Sequence, residues 1–190
     1  MLLTTNTTLD EAWHAVVQEI KRGCVDKKHP FRFITLATIA EGKPTARYVV
    51  LRKVDEALNC YIYTDSRTAK IAELQQNDAA SLLLYHPRKR VQVRLDGQIA
   101  LHHQDTISQM HWQHVQGEAQ KAYNSVLAPG TTIDNRQDAY EWPENMDDRY
   151  FTVLAFKPQA VEALQLNGLE HLRASFEKTH DGWQKSWLAP

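Results

Sequence analysis

The chain has 190 residues, 24% of them charged and 43% hydrophobic, with a formal net charge of −1. That length carries one domain with a real core, and the near-zero charge argues against a broad nucleic-acid surface, which needs a basic excess. No apolar run approaches the length of a membrane span, and Met1–Asp10 lacks the basic start and long apolar segment of a secretory signal, so cytoplasmic residence with no membrane partner is expected.

Leu9, Trp13, Val16, Val17 and Ile20 recur at helical spacing and predict an amphipathic helix over Thr8 to Arg22, capped by Thr8 or Asp10 and ended by Gly23. Phe31 to Ile39 is β-branched and aromatic and predicts a strand. A turn at Glu41-Gly42-Lys43-Pro44 leads into a strand over Thr45 to Val54, and Asp55 to Asn59 turns that into Cys60 to Thr64. Asp65 or Ser66 caps a helix to about Gln76, with Ile71, Ala72 and Leu74 on its apolar side.

Ala80 to His86 reads as a strand, Pro87-Arg88-Lys89-Arg90 as a basic turn, and Val91 to His102 as a long strand bent at Gly97. Asp105 to Val115 has a helical pattern. Residues 122–146 carry Pro129-Gly130, Pro143, Tyr140 and Trp142 without periodicity and read as loops and short helices, a candidate lid. Strands follow at Tyr150 to Phe156, at Val161 to Leu166 paired with Leu169 to Phe176 around Asn167-Gly168, and at Trp183 to Leu188. The order predicts a mainly β (α+β) single domain over residues 1–190: an N-terminal helix (1–30), a barrel core (31–103), a helical and loop insertion (104–149) and C-terminal strands (150–190).

Two features carry chemistry. The strand Pro44-Thr45-Ala46-Arg47-Tyr48-Val49-Val50-Leu51-Arg52 holds an arginine at each end of an apolar core, and five residues apart they face opposite ways. Cations are normally kept from such a strand, so an anion is expected beside it. A second basic cluster, Tyr63-Thr64-Asp65-Ser66-Arg67-Thr68-Ala69-Lys70, follows, and the two together read as a phosphate cradle. For Arg47, Arg67 and Lys70 the competing reading is surface pairing with Asp65, Glu73 or Asp55, weighing most on Arg67 and Lys70 at an exposed helix start and less on Arg47, whose strand is apolar. Cys24 and Cys60 lack metal-ligand spacing, and His111 and His114 have no accompanying ligand, so no metal is expected.

These segments resemble the pyridoxamine 5′-phosphate oxidase family of split barrels that bind flavin mononucleotide (FMN). The markers are Arg47-Tyr48-Val49-Val50-Leu51-Arg52, similar to Arg-x-Val-Leu-Leu-Lys; Tyr61-Ile62-Tyr63-Thr64 followed by Lys70; Val91-Gln92-Val93-Arg94 before Gly97; His171-Leu172-Arg173, similar to His-Asp-Arg; and Trp183 with the terminal Leu188-Ala189-Pro190. The resemblance implies an antiparallel split β-barrel with peripheral helices and an FMN site. Arg47, Arg67 and Lys70 hold the phosphate with Thr64 and Thr68. Val49, Val50 and Leu51 offer backbone groups to the polar edge of the ring, with Tyr48, Arg52 and Tyr63 in the same site. Gln92 meets its pyrimidine end, or else faces solvent, and Arg173 lies near N1–C2, or else is an ordinary strand-face cation. By position His171 is a candidate substrate contact or a structural histidine, Tyr140 and Trp142 of the irregular segment are a ring cover or a hydrophobic anchor, and the resemblance implies a homodimer with FMN between subunits.

The departures fall on the substrate side. Ala69 stands where the family has an arginine before its lysine, Arg52 where it has a substrate-facing lysine, Leu169 where it has a phosphate-holding arginine, and Trp187 where an arginine precedes Leu-Ala-Pro. The expectation is an FMN-dependent oxidoreductase acting on an unassigned small molecule. The alternatives are a non-catalytic FMN-binding or sensing module and a true pyridoxamine 5′-phosphate oxidase with a rebuilt pocket. No residue is singled out as a catalytic acid or base.

Overall fold

The computed structural model describes residues 1–190. Helix α1 spans Leu9–Val25 and opens on a capping box: Thr8 Oγ1 accepts from the Glu11 N–H and the Glu11 carboxylate accepts from the Thr8 N–H at 2.8 Å. It runs through Gly23 instead of ending there. A Cβ at Gly23 would lie 2.7 Å from the Phe31 carbonyl oxygen, so the glycine serves close packing inside the helix. A 3-10 turn at Pro30–Arg32 takes the first residues of the predicted strand, because Pro30 suits a helical first position.

Strands β1 (Phe33–Ala40), β2 (Lys43–Val54) and β3 (Cys60–Asp65) form the expected meander. Helix α2 (Ala69–Gln76) starts three residues past the expected caps, with Thr68 at its N-cap. Strands β4 (Ala79–His86) and β5 (Val91–His103), helix α3 (Thr106–Trp112) capped by Asp105, and 3-10 turns at Gly117–Tyr123 and Arg136–Ala139 follow. Strand β6 is one continuous element, Phe151–Gln165, where two were expected. Pro158, between the two expected strands, sits opposite Gly97 at a bulge, where a missing N–H is tolerated. Strands β7 (Leu172–Thr179) and β8 (Gly182–Leu188) finish the sheet.

The strand order is β3-β2-β1-β4-β5-β6-β7-β8, all neighbours antiparallel, and a further β3–β6 pairing closes the first six into a barrel. Alternation fills the inside with Leu36, Ile62, Leu82, Val93 and Phe156, and α1 plugs one end with Ala12, Val16 and Ile20 in the same core cluster. Residues directly opposite in an antiparallel pair share a face. Leu36 faces Arg47 and Thr38 faces Thr45, so Arg47 points toward the barrel side, at its mouth. Thr35 faces Tyr48 and Phe33 faces Val50, so Tyr48 and Val50 point outward.

Candidate cofactor site

The mouth beside α2 brings both basic stretches together. A cavity of about 310 Å³ is lined by Arg47, Tyr48, Val49, Val50 and Arg52 from β2, Tyr63, Thr64 and Asp65 from β3, Thr68 and Lys70 at the start of α2, and Ala122, Tyr123 and Pro129 from the irregular segment. The Lys70 ammonium donates to Thr64 Oγ1 at 3.0 Å and has no carboxylate partner. Burial, and then the neighbouring Arg47 charge, push its pKa down against the opposing pull of the Glu73 and Asp65 carboxylates. Thr64 and Thr68 hydroxyls lie 3.3 Å apart, and the N-terminus of α2 opens on the same hollow.

Arg47 is not idle. Its Nη2 donates to Glu73 Oε2 at 2.6 Å and to Thr45 Oγ1 at 2.9 Å, and its Nη1 donates to Thr38 Oγ1. Glu73 therefore fixes the guanidinium at the cavity edge, and its carboxyl is held low despite burial by the Thr38, Arg47 and Thr45 hydrogen bonds. Glu73 is among the candidate carboxylate partners of the basic residues in the sequence, whereas Thr38 and Thr45 give no separable signal there, because a contact across strands leaves no local pattern.

Arg52 is the extra residue of a bulge between Leu51 and Lys53, which frees its side chain from the β2–β3 ladder. Its guanidinium lies 5.7 Å from the Tyr63 ring centroid, and its Nε is buried with no partner. Arg52 and Tyr63 also line a second cavity of about 470 Å³, whose other walls are Lys53, Met110, His111, Gln113 and His114. No carboxylate lines it. The Tyr63 hydroxyl bonds His111 Nδ1 at 2.8 Å, and burial keeps the imidazole's pKa low and the phenol's high.

Several expected ligands lie elsewhere. Arg67 turns away from the cavity: Asp65 grips it at 3.0 Å (Nε–Oδ1) and 2.6 Å (Nη2–Oδ2), it stacks 3.7 Å over Tyr150, and it donates to the Ser125 carbonyl at 2.9 Å. Pairing with Asp65, the competing reading, describes it. Leu51 is fully buried and its carbonyl accepts from Arg32 at 2.9 Å, so neither faces the cavity. Tyr140 and Trp142 pack on each other and on Lys121, and Tyr123 and Pro129 stand over the hollow in their place. His171 Nδ1 accepts from the Asn167 N–H at 3.1 Å and closes a turn.

Gln92 and Arg173 sit outside this cavity, in one outward row: Gln92 faces Leu164 across β5–β6, and Leu164 faces Arg173 across β6–β7. Arg173 pairs with Glu162 at 2.9 Å, which holds its pKa up, while its Nε is buried without a partner. This row is on the same outer face as Tyr48 and Val50.

The model of the pyridoxamine 5′-phosphate oxidase FMN-binding domain matches residues 10–103, the stretch that supplies Arg47, Arg52, Thr64, Thr68 and Lys70. The chain belongs to the pyridoxamine 5′-phosphate oxidase-related FMN-binding family. Among curated relatives of this family, it is similar to the pyridoxine/pyridoxamine 5′-phosphate oxidases of Paraburkholderia phymatum (42% identical over 67 residues, 35% of this chain and 31% of that protein) and Paraburkholderia phytofirmans (40% over 77 residues, 40% and 36%). The matched segment spans about a third of those relatives' length. Among solved structures, a pyridoxamine 5′-phosphate oxidase-related, FMN-binding protein of Nostoc punctiforme superposes with TM-score 0.78 at 23% identity, covering 100% of both chains. PhzG of Burkholderia lata, solved in complex with tetrahydrophenazine-1-carboxylic acid, superposes with TM-score 0.71 at 18% identity, covering 96% of this chain and 91% of that one. Both share the split-barrel fold.

FMN is the cofactor of this family domain, and the hollow suits it. Arg47, Lys70 and the Thr64 hydroxyl offer directional donors to a phosphate at the mouth, while the Thr68 hydroxyl donates to the Asp65 carbonyl at 2.7 Å. Tyr48 and Val50 offer an apolar outer surface to a flat ring, and the unpartnered Arg52 Nε is a buried donor left for it.

Proposed function

We propose that this chain is an FMN-dependent oxidoreductase acting on a small anionic molecule, working as a homodimer with flavin between the subunits. The observation that carries the reading is the half-buried Lys70 ammonium, which has no carboxylate partner and shares one hollow with Arg47, Thr64 and Thr68. A phosphate dianion supplies the missing charge, and each charge-assisted hydrogen bond is worth about 1.5–3 kcal/mol. Bound FMN supplies a two-electron acceptor ring.

The chain's own residues do the rest. Arg47, pinned by Glu73, and Lys70 anchor the phosphate. Arg52 and Tyr63 form the wall between this hollow and the second cavity, so a molecule seated there abuts the cofactor side. Arg52, Lys53 and His114, with no opposing carboxylate, favour an anion in that cavity. A dimer is supported by the outer sheet face, where Phe33, Tyr48 and Tyr85 are 62%, 78% and 47% exposed.

A second reading, FMN held without turnover, is favoured by Leu169, fully exposed where the family has an arginine for substrate phosphate. The test is the absorption spectrum of purified protein, then anaerobic stopped-flow mixing with pyridoxamine 5′-phosphate and with reduced nicotinamides. A yellow protein whose flavin is bleached by one of them supports the oxidoreductase. A colourless protein that refuses added FMN ends both readings.

A further inference from the structure

A buried polar cluster lies outside the cofactor hollow. Glu19 of α1, His29 before the 3-10 turn and His86 at the end of β4 are 4%, 5% and 7% exposed. His29 Nε2 lies 3.3 Å and His86 Nε2 3.9 Å from the same oxygen, Glu19 Oε2. The other oxygen takes Lys89 Nζ at 2.6 Å and Arg22 Nη1 at 2.9 Å. The two imidazoles meet edge to face at 5.5 Å, with Phe31 against both.

A Glu–His–His set at this spacing suggests a metal site, but the far side of each ring speaks against one. His29 Nδ1 accepts the Phe31 N–H at 3.1 Å, and His86 Nδ1 accepts the Lys89 N–H at 3.2 Å. An imidazole that accepts at Nδ1 carries its proton at Nε2. Nε2 then has no lone pair for a metal. A histidine bound to metal through Nε2 instead donates from Nδ1, which would set it against these backbone N–H groups. The cluster also already holds two cations on Glu19.

We propose that Glu19, His29 and His86 form a proton-operated fastening for helix α1: taking up a proton at Nδ1 sets two N–H groups against each other and opens the turns that pin the helix. The His29 bond caps the turn leading into β1, and the His86 bond closes the Pro87–Arg90 turn. That same turn holds the chain's N-terminus. Gln165, fully buried, donates to the Lys89 carbonyl at 2.8 Å and accepts from the Leu2 and Leu3 N–H groups at 2.8 and 3.1 Å. One turn therefore carries a polar attachment of α1, through Lys89 and Glu19, and one of the N-terminal segment, through Gln165.

The charged and titratable groups facing the imidazoles are Glu19 and Arg22 from α1, Lys89 from the turn, and each imidazole for the other. Burial lowers the His86 pKa below its ordinary 6.5, opposed by Glu19 and helped by Lys89 and His29. Burial would raise Glu19, but Lys89, Arg22 and His29 outweigh it and hold the carboxyl low. For a base with a lowered folded pKa, the unfolded chain binds the proton first, so this stability is present above about 6.5 and lost as pH falls through the folded value.

The test is amide hydrogen exchange of FMN-loaded protein, corrected for intrinsic rates. Protection of α1 is expected to fall about tenfold or more between about pH 7.5 and about pH 5.5, while β5 and β6 keep theirs. The pair H29N/H86N retains an acceptor near each Nδ1 position and cannot charge, so it should flatten that fall. Unchanged α1 protection in the wild type, or the same fall in the double variant, would overturn the proposal. Nitrogen-15 histidine spectra of the wild type give a second reading that needs no variant. Both rings should show the Nε2–H form near neutral pH. Nδ1–H forms, or a stoichiometric rise in melting temperature with zinc, would overturn it in favour of a metal.

Discussion

Arg47 and Glu73 are joined at 2.6 Å on the rim of the hollow that holds Lys70, so one of its two innermost cations is already paired and the other is not. A phosphate entering there gains most from the unpaired one. Lys70→Met is expected to weaken FMN binding about 10- to 150-fold, the equivalent of one charge-assisted hydrogen bond, while leaving riboflavin binding nearly unchanged. Fluorescence-quenching titrations with both flavins measure it. Equal losses for both would place Lys70 away from the phosphate.

The same lysine sets a pH dependence. Burial and the Arg47 charge lower its pKa from 10.5, so it loses its proton earlier than a surface lysine as pH rises. FMN affinity should therefore decline on the alkaline side below that value. Lys70→Arg, which keeps its charge, should hold its affinity to higher pH. Parallel curves for the two proteins would exclude Lys70 as the titrating group.

Arg67 is expected to matter for folding and not for flavin choice. It neutralises Asp65, which is 3% exposed, and ties β3 to Ser125 and Tyr150. Removing one partner of a buried pair costs about 3–5 kcal/mol, so Arg67→Ala should lower the melting temperature by roughly 6–20 °C. The ratio of FMN to riboflavin affinity should stay within about twofold. A collapse of that ratio would return Arg67 to the cradle.

The contrast between Arg47 and Arg67 shows what the sequence carried. Arg47 stood out because its strand is apolar and because the family strand motif runs through it. Five-residue spacing puts Arg47 and Arg52 on opposite faces of a regular strand, but Arg52 leaves that alternation at the bulge between Leu51 and Lys53, and both line one hollow. Arg67 lay two residues from Asp65, and nothing local said whether its fork would take that carboxylate or a ligand. Gln92 and Arg173 read as ring contacts, yet they lie on β5 and β7, on the outer face and away from the β2–β3 mouth. The walls formed by Tyr123 and Pro129 come from an aperiodic segment, where no repeat tells which side chain turns inward. His29 and His86 carry no local signal, because their meeting at Glu19 depends on three elements folding together.

Gly97 makes a steric prediction. It opposes Pro158 at the β5–β6 bulge, and a Cβ there would lie 2.2 Å from the Lys157 carbonyl oxygen. Backbone cannot yield as a side-chain tip can. Gly97→Ala should destabilise by about 3 kcal/mol or more, seen as a lower urea midpoint with unchanged slope. A neutral result would mean that β6 shifts freely at Pro158.

The outer sheet face tests the proposed dimer. Leu83 is 38% exposed there, facing Thr35 on one side and Arg94 on the other, and Thr35 in turn faces Tyr48. Leu83→Glu places a carboxylate beside Arg94, a favourable cross-strand pair in the separate subunit. In an isologous interface the same carboxylate is buried against apolar surface and weakens association by about 3 kcal/mol, or more than a hundredfold. Light scattering should then report half the wild-type mass. If Gln92 and Arg173 complete the flavin site from the neighbouring subunit, the monomer should also lose FMN, although Arg47 and Lys70 are untouched. A monomeric variant that keeps full FMN affinity would confine the site to one chain. A wild type that is itself monomeric would remove the interface altogether.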